Sequence, residues 1–138
     1  MTNMTARSGG KRNTIQRAMI FEAVQSLHTH PTGEEVYALV RSKYPSISLA
    51  TVYRNLNTLA EEGQIKRICV PGAAERFDFN TNPHYHIRCE KCGQFADVPL
   101  EYDDKMVELI ARATGYTLHQ QEMVFTGLCP DCAKEALS

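Results

Sequence analysis

The sequence predicts an α+β chain in two parts: a helical half closed by a β-hairpin, then a small α/β half carrying paired cysteines. Three observations carry this expectation. Three stretches with helical apolar spacing precede two alternating strands. From His84 onward, strands and one helix alternate instead. Two Cys-x-x-Cys pairs, Cys89/Cys92 and Cys129/Cys132, open and close that second half.

The first half justifies itself element by element. From Thr14, the residues Ile15, Met19, Ile20, Ala23, Val24 and Leu27 follow helical spacing, which ends near His28 ahead of Pro31. The preceding Ser8-Gly9-Gly10 is expected to be flexible. Thr32, with Glu35 three residues on, forms a capping box for a second helix. That helix runs to about Tyr44 and buries Val36, Leu39 and Val40, and Pro45 stops it. Ser48 caps a third helix with Leu49, Val52, Leu56 and Leu59 on its inner stripe and Gly63 as its stop. The opposite face presents Ala50, Thr51, Arg54, Asn57 and Thr58, with Tyr53 on the border. Strands Gln64–Val70 and Glu75–Phe79 follow, joined by Pro71-Gly72. Three short helices and a hairpin are the order of a winged helix-turn-helix, whose third helix enters the major groove of double-stranded DNA. Residues 1–80 are accordingly read as a DNA-binding domain.

Asn80–Pro83 is turn chemistry, and residues 81–83 are read as a hinge. Beyond it, His84–Arg88 and Phe95–Val98 read as strands around a Cys-x-x-Cys-Gly turn. Tyr102–Thr114 reads as a helix with Met106, Leu109, Ile110 and Ala113 on one side and Gly115 as its cap. Tyr116–Leu128 reads as a strand broken near His119-Gln120-Gln121, and the chain closes on a short helical tail. Residues 84–138 are thus expected to form one α/β domain.

Composition narrows the function classes. Hydrophobic residues make up 43% of the 138, enough for a packed core and against disorder. No apolar run approaches the roughly 20 residues of a membrane-spanning helix, and the polar first thirteen residues lack a signal-peptide core. The expected location is the cytoplasm, where paired cysteines read as metal ligands rather than disulfides. Residues 1–70 carry nine Lys/Arg against five Asp/Glu, and residues 71–138 six against eleven. A basic half joined to an acidic half suits a polyanion partner at one end and cations at the other, although imbalances of this size also arise by chance.

Cys89, Cys92, Cys129 and Cys132 can supply the four thiolates of a tetrahedral, closed zinc shell, which implies a structural role. The 36 residues between Cys92 and Cys129 mean that the site ties the end of the chain to the first strand of its domain. A redox dithiol needs only one such pair. Cys69, alone on the second-last strand of the basic half, is expected to be a half-buried thiol. A second constellation mixes nitrogen and oxygen. If His84-Tyr85-His86 is a strand, both histidines share a face. Asp78 and Asp97 lie on the strands before and after, and His30 precedes Pro31. These donors suit Fe²⁺, Mn²⁺ or Zn²⁺. Taken singly, each also fits an ordinary surface or capping role, and spacing alone does not assemble the five. A metal held by both halves would favour one arrangement of them, as a switch requires.

With Thr14-x-x-Arg17, His30-Pro31-Thr32, Ser48-Leu-Ala-Thr-Val-Tyr-Arg-Asn-Leu56, Arg76-Phe-Asp-Phe79, His84-x-His86-x-x-Cys89-x-x-Cys92-Gly93 and Cys129-x-x-Cys132 in this order, the chain closely resembles the ferric uptake regulator (Fur) family of bacterial metal-dependent repressors. The resemblance covers roughly residues 11–135. It implies a homodimer built through the C-terminal domains and structural zinc at the four cysteines. It also implies a regulatory Fe²⁺ or Mn²⁺, replaceable by Zn²⁺ in vitro, at His30, Asp78, His84, His86 and Asp97. The metal-closed dimer would bind an AT-rich operator palindrome. Tyr53 and Arg54 match residues that approach the bases, with Thr51 and Asn57 on the same helix. Lys11, Arg12 and Arg17 match a basic N-terminal segment that serves the DNA backbone or minor groove.

Within the family, aspartate at positions 78 and 97 is similar to the peroxide-responsive branch. Pro83, Tyr85, Gln120 and Gln121 stand where a second regulatory set would need other ligands, and His119 is slightly out of register, so one N/O site plus one zinc site is expected. The resemblance implies that peroxide meeting bound Fe²⁺ oxidises His30 or His84 and releases metal and operator together. The alternative on the same scaffold is an iron- or manganese-homeostasis repressor without peroxide sensing. A hydrolase would need an open metal position and a base or nucleophile; no Glu or Ser sits in a recognisable catalytic motif, so an enzyme with a small-molecule substrate is not expected. A zinc-scaffolding adaptor would leave the Thr51, Arg54 and Asn57 face without purpose.

Overall fold

A computed structural model of the chain describes residues 3–27, 30–70, 72–119 and 123–137, with side chains from Thr14 onward. The chain divides into two compact units, Met1–Thr81 and Asn82–Ser138. Each is described by itself.

The first unit runs α1 (Asn3–Ser26), α2 (Gly33–Lys43), α3 (Leu49–Glu61), β1 (Lys66–Ile68) and β2 (Arg76–Asp78). Its helix starts are set by side-chain caps. Thr32 Oγ1 accepts from Glu35 N at 3.2 Å while Glu35 Oε1 accepts from Thr32 N at 2.9 Å, closing the capping box of α2. Ser48 Oγ accepts from Thr51 N at 3.1 Å to start α3. Gly63 takes a φ of 76°, the left-handed turn that ends α3 where a side chain would be strained. The three helices bury Ile20, Ala23, Val24, Val36, Val40, Val52, Leu56 and Leu59 in one core, which Ile65 and Phe77 of the hairpin region complete. β1 and β2 pair antiparallel, with Lys66 opposite Asp78, Arg67 opposite Phe77 and Ile68 opposite Arg76. This is the expected winged-helix arrangement.

Several boundaries differ from expectation. α1 extends back to Asn3 through Ser8-Gly9-Gly10, a stretch expected to be flexible. Each glycine costs about 1 kcal/mol against alanine in a helix, yet a helix already nucleated gains a hydrogen bond with every residue added. The expected end of α1 near His28 lies outside the described residues; the helix stops at Ser26, with Leu27 N still donating to Ala23 O. The wing strands are shorter than expected because Ala73 N folds back to Val70 O and begins a turn. Pro71 of the expected joint is outside the described residues. Cys69 falls beyond β1 and is exposed, not half-buried. Leu49, expected on the inner stripe, is exposed at the first position of α3.

The second unit runs β3 (Tyr85–Cys89), β4 (Phe95–Asp97), α4 (Lys105–Thr114), β5 (Met123–Gly127) and α5 (Pro130–Leu137). Its sheet has the order β4-β3-β5, with β3 antiparallel to β4 and parallel to β5. β5 is shorter than the expected Tyr116–Leu128 because a strand lasts only as long as its partner: the five residues of β3 pair with five of β5. The expected break at Gln120 and Gln121 lies outside the described residues. α4 begins three residues later than expected. Asp103 Oδ1 accepts from Lys105 N at 3.0 Å, and Asp103 N donates to Tyr85 Oη at 2.9 Å, a local alternative to helix. The apolar side of α4 is uncovered: Met106, Leu109 and Ile110 are exposed, and no residue of the helix is buried. No helix among the described residues is long and apolar enough to cross a membrane.

Candidate metal centres

The four cysteines meet in the second unit. Cys89 ends β3, Cys92 follows in the turn before β4, Cys129 follows β5 and Cys132 lies in the first turn of α5. Parallel pairing sets Cys89 opposite Gly127, so the two Cys-x-x-Cys turns come side by side. All four Sγ atoms lie within 4.8 Å of one another. Cys92 and Cys129 are separated by 3.9 Å, far beyond the about 2.05 Å of a disulfide. A tetrahedral ion with sulfur at about 2.3 Å has ligand–ligand edges of about 3.8 Å, so the spacing fits a metal.

Electrostatics points the same way. Cys89 Sγ accepts backbone N–H bonds from Cys92 and Cys129, each at 3.4 Å, and Cys129 Sγ accepts one from Cys132. The bonds from Cys92 and Cys129 stabilise a thiolate and hold Cys89 down at about 6, against an ordinary 9.0. The bond to Cys129 and burial then push Cys132 up to about 12, and the neighbouring thiols also contribute to raising Cys92. Four thiols this close cannot all ionise unless a cation stands among them.

The nitrogen and oxygen donors form one group in each unit. In the first unit, His30 Nε2 lies 3.2 Å from Asp78 Oδ2, and both side chains are buried. Asp78 sits at the end of β2, where its Oδ1 accepts from Asn80 N at 2.9 Å. His30 holds a φ of 57°, uncommon for a residue with a side chain. Its carbonyl oxygen accepts from Arg76 Nη1 at 2.9 Å, and Pro31 O accepts from Phe77 N. Two bonds from β2 thus fix the backbone that carries His30.

In the second unit, His84 and His86 share a face as the strand period requires, with ring centroids 4.3 Å apart. His86 pairs directly across the sheet with Asp97. Asp97 Oδ1 lies 2.9 Å from His84 Nε2 and 3.5 Å from His86 Nε2. His84 Nδ1 is 2.7 Å from the carbonyl oxygen of Asn82, which can only accept, so Nδ1 carries a proton. Nε2 is then left facing a carboxylate oxygen, a contact that a proton or a cation between them makes favourable. Ligand edges of about 3.0–3.4 Å are those around an ion with N and O ligands at about 2.1 Å.

Three comparisons bear on this arrangement. The sequence model described as the ferric uptake regulator family matches residues 8–126, which includes Cys89 and Cys92 and stops short of Cys129. The peroxide-responsive repressor PerR of Staphylococcus epidermidis is 38% identical over 129 residues, covering 94% of this chain and 86% of that protein. The chain belongs to the ferric uptake regulator family. The peroxide operon regulator of Bacillus subtilis is 36% identical over 131 residues, covering 95% and 90%. The crystal structure of the Campylobacter jejuni peroxide stress regulator superposes with a TM-score of 0.74 at 30% identity, covering 96% of this chain and 98% of that one.

On the family's helix-turn-helix, Ala50, Arg54 and Asn57 lie exposed on α3, and Thr51 and Tyr53 are half-buried. The Thr51 hydroxyl accepts from Ser48 Oγ at 2.9 Å and from Arg54 Nη2 at 3.3 Å. Arg17 forms an ion pair with Glu62 at the far end of α3. Lys11 and Arg12 fall on α1, and their side chains are outside the described residues. Three residues escaped sequence reasoning. Arg76 stood in a matched motif without a role, Gly33 lies against the Tyr53 ring, and Arg67 reaches Asn57. All three act across elements distant in sequence, so periodicity carried no trace of them.

Proposed function

We propose that the chain is a metal-dependent DNA-binding repressor of transcription that responds to peroxide. The observation that carries this reading is the donor chemistry of the two nitrogen–oxygen groups, His30 with Asp78 and His84 with His86 and Asp97. It is supported by relatives that bear the names of peroxide regulators over nearly the whole chain. His30, Asp78, His84, His86 and Asp97 would together bind one regulatory Fe²⁺ or Mn²⁺, and the four cysteines a structural Zn²⁺. A metal sharing ligands from residues 1–80 and residues 84–138 favours one arrangement of the two domains, and that preference is what a switch needs. The uncovered Met106, Leu109 and Ile110 of α4 support a homodimer through residues 84–138.

The DNA partner would be a two-fold symmetric, AT-rich duplex read by one winged helix from each subunit. Tyr53 and Arg54 would meet base edges, with Thr51 and Asn57 beside them; Arg17, Lys11 and Arg12 would meet phosphates or the minor groove. Bound ferrous iron would supply redox catalysis, lending an electron to break the peroxide O–O bond and regaining it from the imidazole, which is oxidised by two electrons overall. One oxygen atom would enter His30 or His84 while peroxide leaves as water. The oxidised ring is a poorer ligand, so its domain is released. Such a repressor would act in the cytoplasm.

The test loads the purified protein with iron or manganese and measures binding to a duplex selected from a random-sequence pool. Peroxide should abolish binding of the iron form, spare the manganese form and add one oxygen to a peptide containing His30 or His84. A repressor of iron or manganese homeostasis would bind in a metal-dependent way but keep its iron-form affinity after peroxide. Arg54→Ala should remove duplex binding while both metals stay bound.

A further inference from the structure

Asn57 shares the outward stripe of α3 with Ala50 and Arg54, at the i, i+4, i+7 spacing of one helix face. Its Oδ1 accepts a 2.6 Å hydrogen bond from Arg67 Nη2 on β1. The same guanidinium is held by Glu75, whose Oε2 lies 3.3 Å from Arg67 Nε. The wing thus reaches the outward stripe of the recognition helix through the Asn57 side-chain amide.

Chemistry fixes which end of that amide is gripped. A guanidinium has five N–H donors and no acceptor, so only the oxygen of Asn57 can face it. The amide nitrogen of Asn57 is left for the outward side. An unrestrained asparagine offers a donor and an acceptor together, the pattern that pairs bidentately with N6 and N7 of adenine. Anchored through one lone pair of its oxygen, Asn57 holds that amide plane in one orientation. A fixed amide plane reads one base pair, whereas a free one turns to meet the edges of several.

We infer that Arg67 is a positioning residue that acts through Asn57, fixing the amide plane that reads one base pair in the major groove. This rests on the DNA-binding reading above. Glu75 contributes by fixing the guanidinium plane, so that the Nη2 donor stays on Asn57.

The experiment uses the full-length, manganese-loaded protein, the duplex selected from the random pool, and every single-base-pair substitution of that duplex. Arg67→Met keeps the aliphatic stem and removes the donors; Arg67→Lys keeps a donor-only head. Asn57→Ala and Arg67→Met should each flatten, by roughly tenfold, the discrimination at one and the same base pair. The combined variant should be no worse than Asn57→Ala, the salt slope of binding should not change, and Arg67→Lys should recover part of the discrimination. A uniform loss across the panel with a salt slope lower by about one would instead make Arg67 a phosphate contact and overturn the inference. So would flattening at different base pairs, or at none. Failure of the wild-type protein to select any duplex overturns the DNA-binding reading itself, and is distinguished by the wild-type result alone.

Discussion

Arg76 Nη1 donates a 2.9 Å hydrogen bond to the carbonyl oxygen of His30, the residue whose backbone is held at a φ of 57°. A left-handed conformation costs a residue with a side chain about 1 kcal/mol or more and persists only where its surroundings enforce it. Arg76 is that enforcement, and the next residue but one on its strand is Asp78, which meets the His30 imidazole. One strand therefore holds both the backbone and the ring of a proposed ligand. Arg76→Ala should lower stability by about 1–2 kcal/mol in urea unfolding, since a charged hydrogen bond is lost. It should also weaken manganese binding roughly tenfold while zinc content stays constant. Manganese affinity equal to that of the wild type would show that the clamp does not prepare the ligand.

Gly33 offers a second prediction. A Cβ at this position would run into the ring and hydroxyl of Tyr53, so the ring comes close to the start of α2 because residue 33 has no side chain. Burial, with the carboxylates of Glu34 and Glu75, also pushes the Tyr53 phenol up and keeps it neutral there. Gly33→Ala should cost about 1–3 kcal/mol as an overpacking substitution and weaken duplex binding by displacing the ring. The double variant Gly33→Ala/Tyr53→Ala should recover most of that stability. Thermal unfolding of the three variants decides it: additive losses would mean that the ring is not what Gly33 accommodates.

Proton release on zinc binding tests the cysteine electrostatics. Cys89 stands at about 6 in the metal-free protein, so near neutral pH it is already a thiolate and releases no proton when zinc binds. As pH falls through about 6, Cys89 must also give up a proton. Zinc binding should then displace one more proton and weaken more steeply with acid. Calorimetry in buffers of different ionisation enthalpy reads this number directly. A proton count that does not rise across that interval would contradict the amide-stabilised thiolate at Cys89.

The apolar side of α4 gives a fourth. Leu109 is 59% exposed and Ile110 45% exposed, so a charge at either is harmless to a lone chain and expensive at a covered interface. Leu109→Asp should raise the dimer dissociation constant on the order of a hundredfold, seen by analytical ultracentrifugation, with zinc content unchanged. A dimer of unchanged strength would place the contact elsewhere.

Much of the fold was legible because its cues are local. The Thr32/Glu35 capping box, the Ser48 cap and the Gly63 stop each lie within four residues of what they govern. The four cysteines were legible from their spacing, since a turn of fixed length aims two thiolates one way. What was not legible depends on partners far along the chain. β5 is five residues long because β3 is, and Arg76 reaches His30 across 46 positions. The apolar stripe of α4 was legible from its spacing, but its exposure was not, because spacing does not say what covers a face. The nitrogen and oxygen donors needed the family resemblance, because each of the five also has an ordinary role.

The parallel pairing of β3 with β5 sets a schedule for the second domain. Tyr85 meets Met123, so 37 residues must be looped out before the first ladder bond forms. Closing such a loop costs about 3 kcal/mol from chain length alone, with no local contact to offset it beforehand. The two cysteine turns sit just beyond that ladder, and an ion seized by Cys89 and Cys92 can capture Cys129 and Cys132 before the strands align. On that schedule the sheet around His86 is completed only after Cys129 and Cys132 have emerged, at a rate set by the ion they take up. A shortage of that ion would then leave chains with the His86 strand unfinished, whatever the supply of the ion proposed for the nitrogen and oxygen donors.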